Sequence, residues 1–241
     1  MLTLTLASGR GNVLDGEMIS ELTEVVHSEA RRPDVKALVF QGQGEHFCYG
    51  ASVPEHRREY AAEMLSGLHE LLRSMIHLSK PGVALVRGCC LGGGLELAGF
   101  YQWIFAAEEA RFGQPEIALG VFPPVASLIL PWREGQSAAD DLILTGRTIS
   151  AARAQELGLA HSVSDQPEVK VEEFLEAHIL PKSAVALGLA VRASRFAMHR
   201  AFLQDIEALE TIYLQDLMNT EDANEGIKAF MEKRQPVWSN R

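Results

Sequence analysis

Apolar and polar positions change period several times along the 241-residue chain, and each change marks an element. Met1–Leu6 alternates Leu with Thr, the period of a short edge strand. Asp15–Arg32 places Met18, Ile19, Leu22, Val25 and Val26 on one helical face, with Asp15 positioned as N-cap. Val35–Gly42 is a β-rich run closed by glycine, which predicts a buried strand. A loop, "QGEHFCYGAS", follows, then a helix from about Pro54 through His77 that Lys80-Pro81 ends. Gly82–Gly88 predicts a second buried strand, with a helix from about Gly93, and Tyr101–Ala107 a third strand. Ser137–Gly146 predicts a helix with a glycine C-cap, and Ser150 caps a short helix that leads to Gly158 and a strand-like end.

From about Val169 the β-rich runs stop and long helical periods take over. The division predicts an α/β core over residues 1–168 and a helical region over 169–241. One late stripe, Ile206, Leu209, Ile212, Tyr213 and Leu217, is too apolar for a solvated helix and is expected in or near contacts between copies.

Composition narrows the function classes. Apolar residues make up 47% and charged residues 22%, and no run approaches the ~18 apolar residues of a membrane span, so no membrane partner is expected. The first residues lack the basic and apolar segments of a secretory signal, which makes the cytoplasm the expected location. A net charge of −10 argues against nucleic acid as partner. Cys48, Cys89 and Cys90 form neither a disulfide framework nor a CxxC metal spacing, and the eight histidines never fall in HxxxH or HExxH, so no metal is expected.

The chemistry concentrates in Gly88–Gly99, "GCCLGGGLELAG", directly after a predicted strand. Gly92, Gly93 and Gly94 are consecutive rather than spaced G-x-G-x-x-G, and Glu96 would repel a pyrophosphate, so a dinucleotide loop fits poorly. Bare N–H groups at a helix start, with no Cβ in the way, suit a partly negative oxygen instead. A carboxylate one turn later then lies beside whatever carries that oxygen, the combination that enolate chemistry needs. "CYGAS" (Cys48–Ser52) offers a second donor loop, and Glu116 in "FGQPEIALG" a second carboxylate.

"GEHFCYGAS", "LGGGLELA", "FGQPEIALG" and "LTGRTISA", in this order, resemble the enoyl-CoA hydratase/isomerase (crotonase) superfamily over nearly the whole chain from about Asn12. The resemblance implies an α/β fold, a crotonase-like spiral of ββα repeats with a C-terminal helical region that packs trimers, often paired into hexamers. It implies an oxyanion hole from the Ala51 and Gly93 N–H groups, with Glu96 as base toward water and Glu116 as acid toward the α-carbon. The substrate is then an acyl-CoA thioester, coenzyme A being part of it, and no cofactor is required. Retention of both glutamates favours hydration over the isomerases and decarboxylases of the same scaffold, which stay open, as does a non-catalytic CoA-binding subunit.

Where the fatty-acid hydratases carry a G-x-x-P-x-x-G-G loop, this chain has "GVFPPVASLILPWREG" (Gly120–Gly135). With "NVLD" and "DDLILTGR", that segment looks most like the branch acting on cyclohexa-1,5-diene-1-carbonyl-CoA in anaerobic aromatic degradation. His56, Phe122, Pro123 and Trp132 are the expected acyl-pocket residues, with a solvated helix position as the alternative for His56 and core filling for Phe122 and Trp132.

Overall fold

Two small sheets wound with helices make up the structure, a computed structural model that describes residues 1–241. β1 (Leu2–Leu6), β2 (Leu38–Gly42), β3 (Gly82–Val86), β5 (Trp103–Ala107) and β8 (Ser162–Ser164) form one parallel sheet in the order β1-β2-β3-β5-β8. β4 (Cys89–Leu91), β6 (Arg111–Gly113) and β7 (Thr148–Ser150) form the other, with β4 and β6 parallel and β6 and β7 antiparallel. The chain passes from the first sheet to the second and then into a helix, as in β3–β4–α3, where α3 spans Gly93–Phe100.

The central strands read as continuous apolar runs because both faces of their sheet are covered. Leu38, Phe40, Ala84, Val86, Ile104 and Ala106 belong to the main core, shared with α1 (Gly16–His27) and α2 (Ala61–Leu78). Their neighbours Val39, Val83, Leu85 and Phe105 face Val171, Leu175 and Ile179 of α7 (Pro167–His178). Period 2 thus divides each strand between two cores.

Most expected elements occur, with shifted ends. Asp15 caps α1 by accepting from the Met18 N–H at 2.9 Å, and Ser150 caps α6 (Ala151–Glu156) by accepting from Arg153 at 3.2 Å. The helix expected from Pro54 is two pieces, a 3₁₀ turn over Val53–His56 and then α2. Gly120–Gly135 is not a loop throughout. Pro124 opens α4 (Pro124–Glu134), a position where its missing N–H costs nothing, and Gly135 introduces α5 (Gln136–Thr145).

The boundary expected at 168 falls inside α7, and α7 covers the sheet, so the helical region begins as part of the core. α8 (Ala184–Ser194), α9 (Phe196–Thr211) and α10 (Glu221–Met231) follow. Met198, Phe202 and Ile206 of α9 pack into the main core. Of the stripe assigned to contacts between copies, Ile206 and Tyr213 are buried within this chain, while Ile212 is exposed. No helix is long and apolar enough to cross a membrane.

Candidate active site

Three glycines let two backbone segments meet. Gly92 has φ +50°, and its ψ of −129° puts it in a region that side-chain-bearing residues rarely adopt. That turn starts α3, so the Gly93 N–H has no intrahelical acceptor. Ala51 lies opposite on the Cys48–Ser52 loop: a Cβ built on Gly93 would stand 3.1 Å from the Ala51 nitrogen. In the parallel bridge between Leu14 and Ala51, Leu14 donates to the Gly50 carbonyl and Ser52 donates to the Leu14 carbonyl. That pattern turns the intervening Ala51 N–H away from Leu14. The sequence-predicted pair of donors is therefore adjacent, and each is free of a ladder or helix bond.

Two further contacts fix this approach. A Cβ on Gly94 would lie 2.7 Å from the Cys48 Cβ, so α3 packs directly on the loop. Asn12, buried at φ +47°, donates from Nδ2 to the carbonyls of Gln43, His46 and Phe47 at 3.0, 2.8 and 3.3 Å. One side chain thereby ties down three carbonyls of the segment leading to Ala51.

Glu96 and Glu116 come together from different elements. Glu96, in the first turn of α3, is 4% exposed and accepts from the Ala126 N–H at 2.8 Å. The local sequence of α4 explains this contact. Pro123 and Pro124 have no N–H, so the first donors at that helix start are Val125 and Ala126, and they point at Glu96. Glu96 thus caps α4 from another helix. Burial pushes its pKa up to about 7, and the Ala126 and Val125 N–H groups oppose the rise.

Glu116 lies in a 3₁₀ turn over Pro115–Leu119 and is 8% exposed. Burial raises its pKa well above the usual carboxylate range, and the charge of Glu96 adds to that. A Cβ on Gly92 would lie 2.5 Å from Glu116 Oε1, so the glycine turn also makes room for this carboxylate. Gln114, fully buried, sets its side-chain amide against Glu116, and with the amide nitrogen toward the carboxylate it donates to Oε1 and Oε2 at 3.1 and 3.0 Å. Sequence reasoning gave Gln114 no role; a buried amide two residues from a carboxylate, across Pro115, was the available signal.

The expected acyl-pocket residues separate. Phe122 packs with Ala51, Val53 and Tyr213, its ring 5.4 Å from that of Tyr213 and nearly edge-on. Pro123 is buried at the start of α4, next to the donors that hold Glu96. His56 is buried and donates from Nδ1 to the Ser52 carbonyl at 3.0 Å, bracing the loop that carries Ala51, and burial lowers its pKa. Trp132 corrects the expectation. It is 58% exposed and lines a surface cavity with Gln102, Gly158 and Ser194. Six residues of helix carry it ~9 Å along α4 from Ala126 and out of the site.

Tyr213 belongs here although its sequence context suggested a contact between copies. Its ring is 1% exposed, and its hydroxyl is buried with no hydrogen-bond partner.

Known proteins of similar sequence and shape point to one family. The family described as "Enoyl-CoA hydratase/isomerase" matches residues 2–241. Cyclohexa-1,5-dienecarbonyl-CoA hydratase of Thauera aromatica is 42% identical over 241 residues, covering 100% of this chain and 93% of that one. 2,3-Dehydroadipyl-CoA hydratase of Escherichia coli K12 is 32% identical, covering 100% and 95%. Among solved structures, a putative enoyl-CoA hydratase from Mycobacterium avium paratuberculosis superposes with a TM-score of 0.88 at 28% identity, covering 99% of this chain and 94% of that one. Sequence match, crotonase fold and paired carboxylates converge: the chain belongs to the enoyl-CoA hydratase/isomerase family.

Proposed function

We propose that the protein adds water to an α,β-unsaturated acyl-CoA thioester, and that a cyclic dienoyl group, as in cyclohexa-1,5-diene-1-carbonyl-CoA, is its preferred acyl group. The observation that carries the reading is the pair of buried carboxylates, Glu96 and Glu116, beside two free N–H groups. The Ala51 and Gly93 N–H groups donate hydrogen bonds to the thioester carbonyl oxygen and stabilise the enolate as it forms. Water attacks the β-carbon, one carboxylate takes its proton, and the other returns a proton to the α-carbon. The sum is one water added and both carboxylates still holding one proton between them.

The environments support a division of labour. Glu96, with two N–H groups favouring its charged form, ionises more readily and suits the base. Glu116, raised by burial and by the charge of Glu96, keeps its proton more readily than Glu96 and suits the acid. The two are coupled, so the proton belongs to the pair as much as to either residue.

Phe122, Pro123 and Pro124 support the cyclic substrate. Proline fixes φ, and α4 anchors the segment, so this wall does not easily re-form around a flexible chain. A ring brings its conjugated carbons already coplanar with the thioester, which reduces the ordering cost of reaching attack geometry. The 42% identity to a hydratase named for that substrate points the same way. kcat/KM is expected to be higher for cyclohexa-1,5-diene-1-carbonyl-CoA than for crotonyl-CoA by roughly tens to hundreds, the range that pocket shape delivers. Mass spectrometry of both thioesters under one condition checks it. Crotonyl-CoA hydration without cyclic-diene activity removes the ring preference and leaves the hydratase. A mass unchanged or lowered by CO₂ removes the hydratase.

Self-association, as a trimer or dimer of trimers, is part of the proposal. Val185, Leu189, Phe196 and Leu203 are 74%, 56%, 65% and 40% exposed along α8 and α9, and they line an open cavity of about 830 Å³. Apolar exposure on that scale fits a surface covered by a further copy. Light scattering is expected to give a multiple of the 26.5 kDa chain at micromolar concentration, and a stable monomer refutes the assembly.

A further inference from the structure

The Tyr213 hydroxyl is buried with no partner. A buried donor left unmatched forfeits the hydrogen bond that water gave it, so such a group in a packed interior calls for a ligand that completes it. Its position says which ligand. The ring packs in one apolar cluster with Ala51, Val121 and Phe122, each of which leads by the backbone to a part of the site. Ala51 carries one of the two free N–H groups, Val121 donates to the Glu116 carbonyl at 3.2 Å, and Phe122 leads into the start of α4 that holds Glu96.

The backbone at Tyr213 is also irregular. α9 ends at Thr211 and the chain continues as a π-turn over Ile212–Asp216. Wider turns of this kind recur at functional sites, because they re-aim side chains relative to a regular helix. Here the turn leaves Ile212 44% exposed and sends Tyr213 inward. Burial, with the negative charge of Glu116 and Glu96, raises the Tyr213 pKa, so the group stays a neutral O–H donor.

We propose that the Tyr213 hydroxyl is a third polar contact of the acyl site, donating a hydrogen bond to the oxygen that water delivers to the acyl group. The inference rests on the hydratase reading above. The hydroxyl then discriminates between acyl groups by where they place that oxygen, since a group that leaves the donor unmatched loses the contact. It also holds the attacking oxygen without competing for its proton, because a donor of this kind cannot act as base.

Tyr213→Phe removes the hydroxyl and keeps the ring against Phe122. Calorimetric titration of both forms with 3-hydroxybutyryl-CoA and with butyryl-CoA reads the contact directly. Any dehydration during the titration reaches the same equilibrium with either form. Affinity for the hydroxylated thioester is expected to fall about tenfold, the size of one hydrogen bond, with affinity for butyryl-CoA unchanged. kcat/KM for hydration is expected to fall at least as far, and Tm to stay the same or rise, since an unmatched buried group has been removed. Hydroxylated-ligand affinity within twofold of the parent, or an equal loss on both ligands, overturns the proposal. The two titrations decide the tyrosine independently of turnover: failure of the parent enzyme to add water to any unsaturated thioester strikes the hydratase reading alone.

Discussion

Glu96→Gln and Glu116→Gln are each expected to lower kcat by at least about a hundredfold. A positioned acid or base contributes roughly 10²–10⁴ to a rate, and glutamine has the shape of glutamate without its exchangeable proton. At residue 96 the variant still accepts from the Ala126 N–H through its amide oxygen, so α4 keeps its cap while the site loses its base. At residue 116 the amide still meets Gln114, but no proton is available to deliver to carbon. Neither substitution touches the Ala51 and Gly93 N–H groups. Thioester affinity is therefore expected to survive within a few-fold, and the loss to fall on kcat rather than KM. Steady-state hydration with a parallel binding titration separates the two effects. Near-normal turnover in either variant removes that residue from the mechanism.

Gly92→Ala is expected to reduce hydration as severely, without removing any chemical group. The new methyl lies 2.5 Å from Glu116 Oε1, so the carboxylate must move, and 1 Å of displacement is enough to cost about a hundredfold. The backbone adds a second penalty: holding alanine at φ +50° and ψ −129° costs on the order of 1–3 kcal/mol. Gly9→Ala separates these effects. Gly9 also has positive φ, at +55°, and a Cβ there meets nothing within 4 Å. Gly9→Ala is expected to lose some stability and keep its turnover, whereas Gly92→Ala loses both. Denaturant midpoints beside kcat for the two variants provide the check. Normal kcat in Gly92→Ala shows that Glu116 has room to move and that its placement is not critical.

The sequence exposed different parts of this site to different degrees. Glycines at 92–94 followed by Glu96 were legible because their demand is local: one turn brings free N–H groups and a carboxylate within a few residues. The pairing of Glu96 with Glu116 was legible only through the order of motifs, since no periodicity relates two elements of separate repeats. β4 was missed because three residues, Cys89–Leu91, are too short to show a period, and their partner β6 lies twenty residues on. α4 was hidden by its prolines. Pro124 stands where a helix tolerates it, but Pro131 lies inside the helix, where sequence rules favour a break. Trp132 was misplaced for the same reason, because a loop could have turned it toward the acyl group and a helix does not. Tyr213 belongs to an α-helical stripe in the sequence, and the π-turn changes the side to which that stripe points.

The buried carboxylate pair has a consequence for folding as well as for chemistry. An ordinary glutamate, with a pKa near 4.5, has released its proton by pH 6, whereas Glu96 holds one up to about 7, and burial and the charge of Glu96 raise Glu116 in the same direction. Over this window the native chain binds more protons than the unfolded chain, so the pair's contribution to stability declines as pH rises. Hydration needs the opposite movement at Glu96, which must lose its proton before it can accept one from water. The conditions that charge the base are thus the conditions that set this site against the native state. Activity and stability depend on different protonation states of the same two residues, and a substitution that relieves the fold of that conflict takes the reaction with it.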